Sequence, residues 1–113
     1  GMAGEMVQGM HCELTYSGKR LAGLWPHEQG KLVQEAGASI FGPSINTRIG
    51  KSFPWNVAFS ATIVKECRRQ VSIPIHVNLG MGVCGIPMVE TVPVECASRA
   101  AKTMISVADV DGI

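Results

Sequence analysis

In the run Ile75-His76-Val77-Asn78-Leu79, an extended backbone turns alternate side chains to opposite faces. Ile75, Val77 and Leu79 then point one way, and His76 and Asn78 the other. An imidazole and a carboxamide on one face can bind a small polar molecule, and the imidazole can take or give a proton near neutral pH. The same two side chains would equally serve as hydrogen-bonded core groups, because buried polar residues need partners in any fold. Glu5 and Asn46, like Asn78, each fall just after an expected strand. Parallel strands deliver such positions to one rim. Glu5, Asn46, His76 and Asn78 are therefore the candidate site residues, supplying a carboxylate, an imidazole and two amides for acid–base and orienting work.

Other chemistry-bearing patterns carry less. Gly80-x-Gly82-x-x-Gly85 follows an expected strand and matches the dinucleotide fingerprint formally. Pro87 and Pro93 delay the next helix, so no helix N-terminus follows the third glycine to receive a pyrophosphate. Those glycines read instead as a loop that turns tightly or approaches a ligand. His11-Cys12-Glu13 has metal-ligating types, but neighbours on a strand face opposite ways and cannot readily share one ion. Trp25-Pro26-His27 reads as an anchor for the start of a helix, and the methionines as packing.

The elements that must position the candidates alternate. Residues 12–16 and 20–24 flank Ser17-Gly18 and predict a small hairpin. Pro26 suits the first turn of a helix, where its missing N–H costs nothing. Leu32, Val33 and Ala36 fall at helical spacing, and Gly37 is a natural stop. A short strand is expected at 39–41, ended by Gly42-Pro43. Pro54 opens a second helix, with Val57, Ala61, Val64 and Arg68 along one row. Residues 73–79 form a strand. Pro93 opens a third helix with Val94, Ala97, Ala101, Met104 and Ile105 inward, and residues 110–113 begin a last strand. Strands alternating with helices imply a parallel sheet with right-handed crossovers. The expected fold is α/β: about three βα units of a TIM-type (β/α)8 barrel, one domain over residues 1–113, with a hairpin-like insertion at about 10–24. A free-standing doubly wound sheet is the rival.

Composition narrows the function classes. The 113 residues are 46% hydrophobic and 17% charged, with a formal net charge of +1 and no basic cluster beyond Arg68-Arg69. Nucleic acid and anionic membrane are poor partners for such a chain. No apolar run approaches the ~20 residues of a membrane span, and no basic-then-apolar leader opens the chain. Cys12, Cys67, Cys84 and Cys96 form no C-x-x-C pair, which fits reduced thiols in the cytoplasm.

Several stretches together resemble one family. They are Gly1-Met2-Ala3-Gly4-Glu5, Leu21-Ala22-Gly23-Leu24-Trp25-Pro26-His27, Phe41-Gly42-Pro43, Lys51-Ser52-Phe53-Pro54-Trp55-Asn56, Gly80-Met81-Gly82-Val83 and Asp109-Val110-Asp111-Gly112-Ile113. They resemble the dimethylamine methyltransferases of methylotrophic methanogens and related anaerobes. The resemblance implies a (β/α)8 barrel that moves a methyl group from dimethylamine to the cobalt of a cognate corrinoid protein. It also implies a pyrrolysine, encoded by an in-frame amber codon, directly after the Asp-Gly-Ile that matches 111–113. Two places depart from the family pattern: Cys84 stands where glycine is expected, and residues 47–50 differ from the usual loop.

The final residues, 107–113, read as the opening of a strand that nothing finishes. With the resemblance, this predicts a fragment that ends just before the pyrrolysine, lacks the electrophile and is inactive alone. Glu5, Asn46, His76 and Asn78 would be supporting residues. The fragment is expected to bind no cofactor itself, the corrinoid belonging to the partner protein. The alternative is a stand-alone α/β module that binds a small ligand or self-associates without catalysis. The expected strands 39–41 and 73–79 hold no Lys, Arg, Asp or Glu. An open sheet of that kind predicts a homo-oligomer, a dimer first.

Overall fold

A computed structural model of the chain describes residues 15–21, 23–43, 45, 55–79, 84–85 and 91–113. Among these, two short strands, β1 (Thr15–Tyr16) and β2 (Lys19–Arg20), precede three helices, α1 (Pro26–Glu35), α2 (Asn56–Gln70) and α3 (Val94–Ser106). The strands pair antiparallel, Thr15 with Arg20 and Tyr16 with Lys19. Ser17 and Gly18 both have positive φ, 50° and 74°. That is the tight two-residue turn whose twist matches a hairpin.

The expected partial barrel of about three βα units is overturned. The only sheet among the described residues is the antiparallel pair β1–β2. The segments read as parallel strands meet only at isolated bridges, Phe41 with Ile75 and His76 with Gly112. Proline explains part of this. A ladder needs a continuous row of N–H donors, and Pro43 and Pro74 have none. The pairing around Phe41 is therefore confined to Phe41 N–H donating to the Pro74 carbonyl (2.9 Å) and His76 N–H to the Phe41 carbonyl (3.0 Å). The result is a small α/β fold with antiparallel strands.

The helix starts obey local chemistry. Pro26 is the first residue of α1, and the Trp25 N–H donates to Glu28 Oε2 at 2.9 Å, the returning half of a capping box. Gly37 closes α1 with φ +93°, the left-handed stop that glycine adopts without penalty. Beyond it, Gln34 Oε1 accepts from the N–H groups of Ser72 (2.7 Å) and Ile73 (3.2 Å), so α1 holds the segment that leads to His76.

The core gathers Phe41, Ile45, Ala61, Val64, Cys67, Val71, Ile75, Val77, Met104, Ala108 and Val110. In α2 the buried positions are Asn56, Ser60, Ala61, Val64 and Cys67, a stripe rotated from the expected row toward Ser60 and Cys67. In α3 only Ala100 and Met104 are buried. Val94 and Ile105, expected inward, are 78% and 56% exposed. Burial pushes the Cys67 thiol up to about 12, so it is a packing residue and not a nucleophile. Among the described residues Cys67, Cys84 and Cys96 form no disulfide; Cys12 lies outside them.

Gly30 lies inside α1 for room, not for conformation. A methyl placed on it would come within 2.7 Å of Val71 Cγ2 and 2.8 Å of Phe41 Cε1. Alanine is the better helix former by ~1 kcal/mol, while overpacking a tight core costs about 1–3 kcal/mol. With two clashes against buried side chains, packing should win. Gly30→Ala is expected to lower stability by about 1–2 kcal/mol net, measured by urea unfolding. A stability gain would mean that Phe41 and Val71 repack freely.

Candidate functional site

Of the four candidates, Glu5 and Asn46 lie outside the described residues. His76 and Asn78 are exposed, while their neighbours Ile75 and Val77 are buried and Leu79 is half-buried against the core. The alternation expected from strand periodicity is therefore present, although the segment forms no regular strand. The structure sets His76 beside Gly112. A Cβ on Gly112 would lie 3.0 Å from His76 Cδ2. On the other flank, a Cβ on Gly42 would lie 3.6 Å from the His76 carbonyl oxygen. Neither glycine has the positive φ that would require it. A Cβ at Gly112 would crowd the His76 ring, whereas one at Gly42 would make an ordinary contact.

What fixes this arrangement is a knot of polar groups. The Asp111 carboxylate, through Oδ2, accepts the Ile75 N–H at 2.8 Å and pairs with the Arg68 guanidinium. Arg68 Nε donates to the Asp109 carbonyl at 2.9 Å, and a second guanidinium nitrogen reaches the Ile73 carbonyl at 3.5 Å. Backbone bonds close the knot. Asp111 and Gly112 N–H both donate to the Ile75 carbonyl (2.9 and 3.2 Å), and Val77 N–H donates to the Gly112 carbonyl (3.1 Å). Asp109 enters it with φ +57°, a left-handed conformation that aspartate tolerates better than most residues. One side chain from the last turn of α2 thus ties together residues 73–77 and 109–112.

Sequence reading missed Arg68 and Asp111. The clue was present: Arg68 ends a row of otherwise apolar positions on α2, and a cation on an inward row requires an anion or carbonyls to meet it. Two aspartates stand in the only acidic segment near the expected last strand.

Elsewhere, an open groove of about 610 Å3 runs along α2 and α3, lined by Ala58, Thr62, Lys65, Arg69, Thr103 and Val107 among others, and includes neither His76 nor Asn78. Among the described residues no three His, Cys, Asp or Glu side chains could hold a metal ion, and no helix is long and apolar enough to cross a membrane. Residues 11–13 and 80–83, with their metal-like and glycine-rich patterns, lie outside the described residues, while Gly85 has φ +87°.

These features describe a small α/β unit whose exposed polar face is held from beneath by an ion-paired knot. The model of the dimethylamine methyltransferase family matches residues 1–113, the whole chain. The chain belongs to the dimethylamine methyltransferase family. No solved structure matches it.

The knot also sets an acid response. The Ile75 N–H, first, and the Arg68 guanidinium hold the Asp111 carboxyl below its ordinary range. A carboxyl lowered on folding contributes stability that is present above its unfolded pKa and lost as pH falls through the folded one. Glu66, lowered mainly by its hydrogen bond from Arg69, acts in the same sense. Melting temperature should therefore hold from neutral pH to about pH 4 and fall below it. Asp111→Asn should be less stable at pH 7 and show a shallower acid limb, part of which Glu66 retains. Parallel melting curves for the two proteins across that range would mean that Asp111 contributes nothing.

Proposed function

We propose that the chain serves methyl transfer from dimethylamine to the cobalt of a corrinoid protein, in the cytoplasm, with His76 and Asn78 as supporting residues beside the amine. Membership of the family over residues 1–113 carries this reading. A corrinoid held by a partner protein would supply the methyl acceptor. The chain's own part is to hold and orient the amine and manage the proton of the departing methylamine. An exposed imidazole with a carboxamide two residues on is suited to both. Glu5 and Asn46 belong to the same proposal as supporting residues.

The family resemblance assigns the electrophile that binds the amine to a pyrrolysine, and the 113 residues contain none. The 113-residue polypeptide alone should not turn over. Incubated with dimethylamine and reduced corrinoid protein, it is expected to give no methylated corrinoid by absorbance. Methylation at the rate of a complete enzyme would overturn this. In a 15N NMR titration, dimethylamine should shift the resonances of residues 76–78, and His76→Ala should weaken the response at least threefold, about 0.65 kcal/mol. A titration that moves nothing near His76 would remove the residue from the proposal.

A second reading, self-association without catalysis, is favoured by the large apolar side chains left exposed: Trp25, Ile40, Trp55, Phe59, Val94, Ile105, Val107 and Ile113. Wet apolar surface costs roughly 25 cal/mol per Å2, a cost that association would remove. Under this reading the chain is a homo-oligomer, a dimer first. Light scattering at micromolar concentration should give about twice the 12.0 kDa of one chain. A single 12.0 kDa species would exclude it.

A further inference from the structure

The His76 ring makes no hydrogen bond among the described residues and is exposed. Nothing attached to the ring itself fixes where it points. Its surroundings do. Both chain neighbours of His76 are bonded to the 111–112 segment: Ile75 through its N–H to Asp111 Oδ2 and its carbonyl to the Asp111 and Gly112 N–H groups, Val77 through its N–H to the Gly112 carbonyl. The ring edge then rests over the Gly112 α-carbon, where a Cβ would stand 3.0 Å from Cδ2. A slip of the segment by one residue would put the side chain of Asp111 or Ile113 under the ring and turn each onto the opposite face.

We infer that Arg68 and Asp111 are positioning residues for His76, holding Gly112 beneath the imidazole and so setting the direction in which the ring meets a small amine. The inference rests on the proposed role of His76, but its geometry can be judged separately. Arg68 is suited to this because its planar fork reaches the Asp109 carbonyl and the Asp111 carboxylate together, which one lysine ammonium does not reproduce. Asp111 is suited because one oxygen serves both Ile75 N–H and Arg68. Gly112 is the contact through which the knot acts on the ring.

The test is NMR on the 113-residue chain. The probe is the nuclear Overhauser cross-peak between His76 Hδ2 and the Gly112 α-protons, with the hairpin amides of residues 15–20 as an internal check on folding. Asp111→Ala should lose the cross-peak while the hairpin amides stay in place. Asp111→Asn keeps an oxygen to accept the Ile75 N–H and should restore it, a rescue that a general loss of packing would not give. If Asp111→Ala unfolds, Arg68→Lys carries the test: it keeps the charge and should weaken the cross-peak with the hairpin amides unmoved. An undiminished cross-peak in Asp111→Ala or Arg68→Lys overturns the inference, and so does an Asp111→Asn spectrum that lacks it. Dimethylamine added to each sample separates the two claims. A wild-type chain that ignores the amine counts against His76 as an amine contact, whereas the cross-peak alone decides whether the knot positions the ring.

Discussion

The backbone segments beneath the polar face are tied together by one guanidinium. Arg68 leaves the last turn of α2 and joins backbone from two other segments, through the Asp109 and Ile73 carbonyls and the Asp111 carboxylate. A solvent-exposed ion pair is worth little on its own. This one matters because both partners are also committed to main-chain groups. Asp111 takes an N–H that a regular ladder would have paired, and Arg68 takes carbonyls that a longer ladder would have bonded. The knot substitutes for the sheet that does not form. Its place at the C-terminal end of α2 is favourable as well, since a cation there meets the negative end of the helix.

The apolar side of the same segments explains why so short a contact suffices. Ile75 and Val77 are buried in a core that also includes Val64 and Cys67 of α2, Met104 of α3, and Val110. With alternate residues locked inward, the residues between them have no freedom to choose a face. Burial therefore fixes which face His76 and Asn78 take, and the knot fixes their position along it. Gly30 extends the logic to α1, because Phe41 and Val71 approach the helix so closely that no side chain fits between.

Much of this is legible in the sequence. The hairpin turn followed from Ser17-Gly18, and the start and stop of α1 from Pro26 and Gly37, each a local rule of backbone geometry. The alternation at 75–79 followed from the period of an extended chain. What failed was of two kinds. The inward faces of α2 and α3 are rotated from the expected rows: Ser60, Cys67 and Ala100 are buried, while Val94 and Ile105 are not. Hydrophobicity alone does not choose the face when small and polar residues such as Ser60 and Ala100 fit the closest approach to the core. The parallel sheet failed because alternation of elements says which segments can approach, not how many hydrogen bonds they complete. Pro43 and Pro74 are prolines at the positions where pairing would have to continue. The site was legible as residue types, in His76 and Asn78, but not as a mechanism of support. Arg68 and Asp111 are 43 residues apart, and no local pattern joins them. Trp25 is a mixed case: it does anchor the start of α1, yet by its backbone N–H, with its indole exposed.

An unbonded imidazole on an otherwise fixed backbone is an unusual economy. A ring that must change protonation or partner during a reaction is hindered by strong bonds of its own, because each protonation state would favour a different donor or acceptor. Support delivered through the neighbouring backbone has no such preference. The bonds from Ile75 and Val77 to residues 111–112 do not involve the His76 ring, and Gly112 offers that ring a surface but no competing donor or acceptor side chain. Orientation then comes from the neighbouring backbone and leaves the ring nitrogens open to a ligand. For a residue proposed to meet a small amine, a ring held by its surroundings and not by its own nitrogens keeps both nitrogens available for that contact.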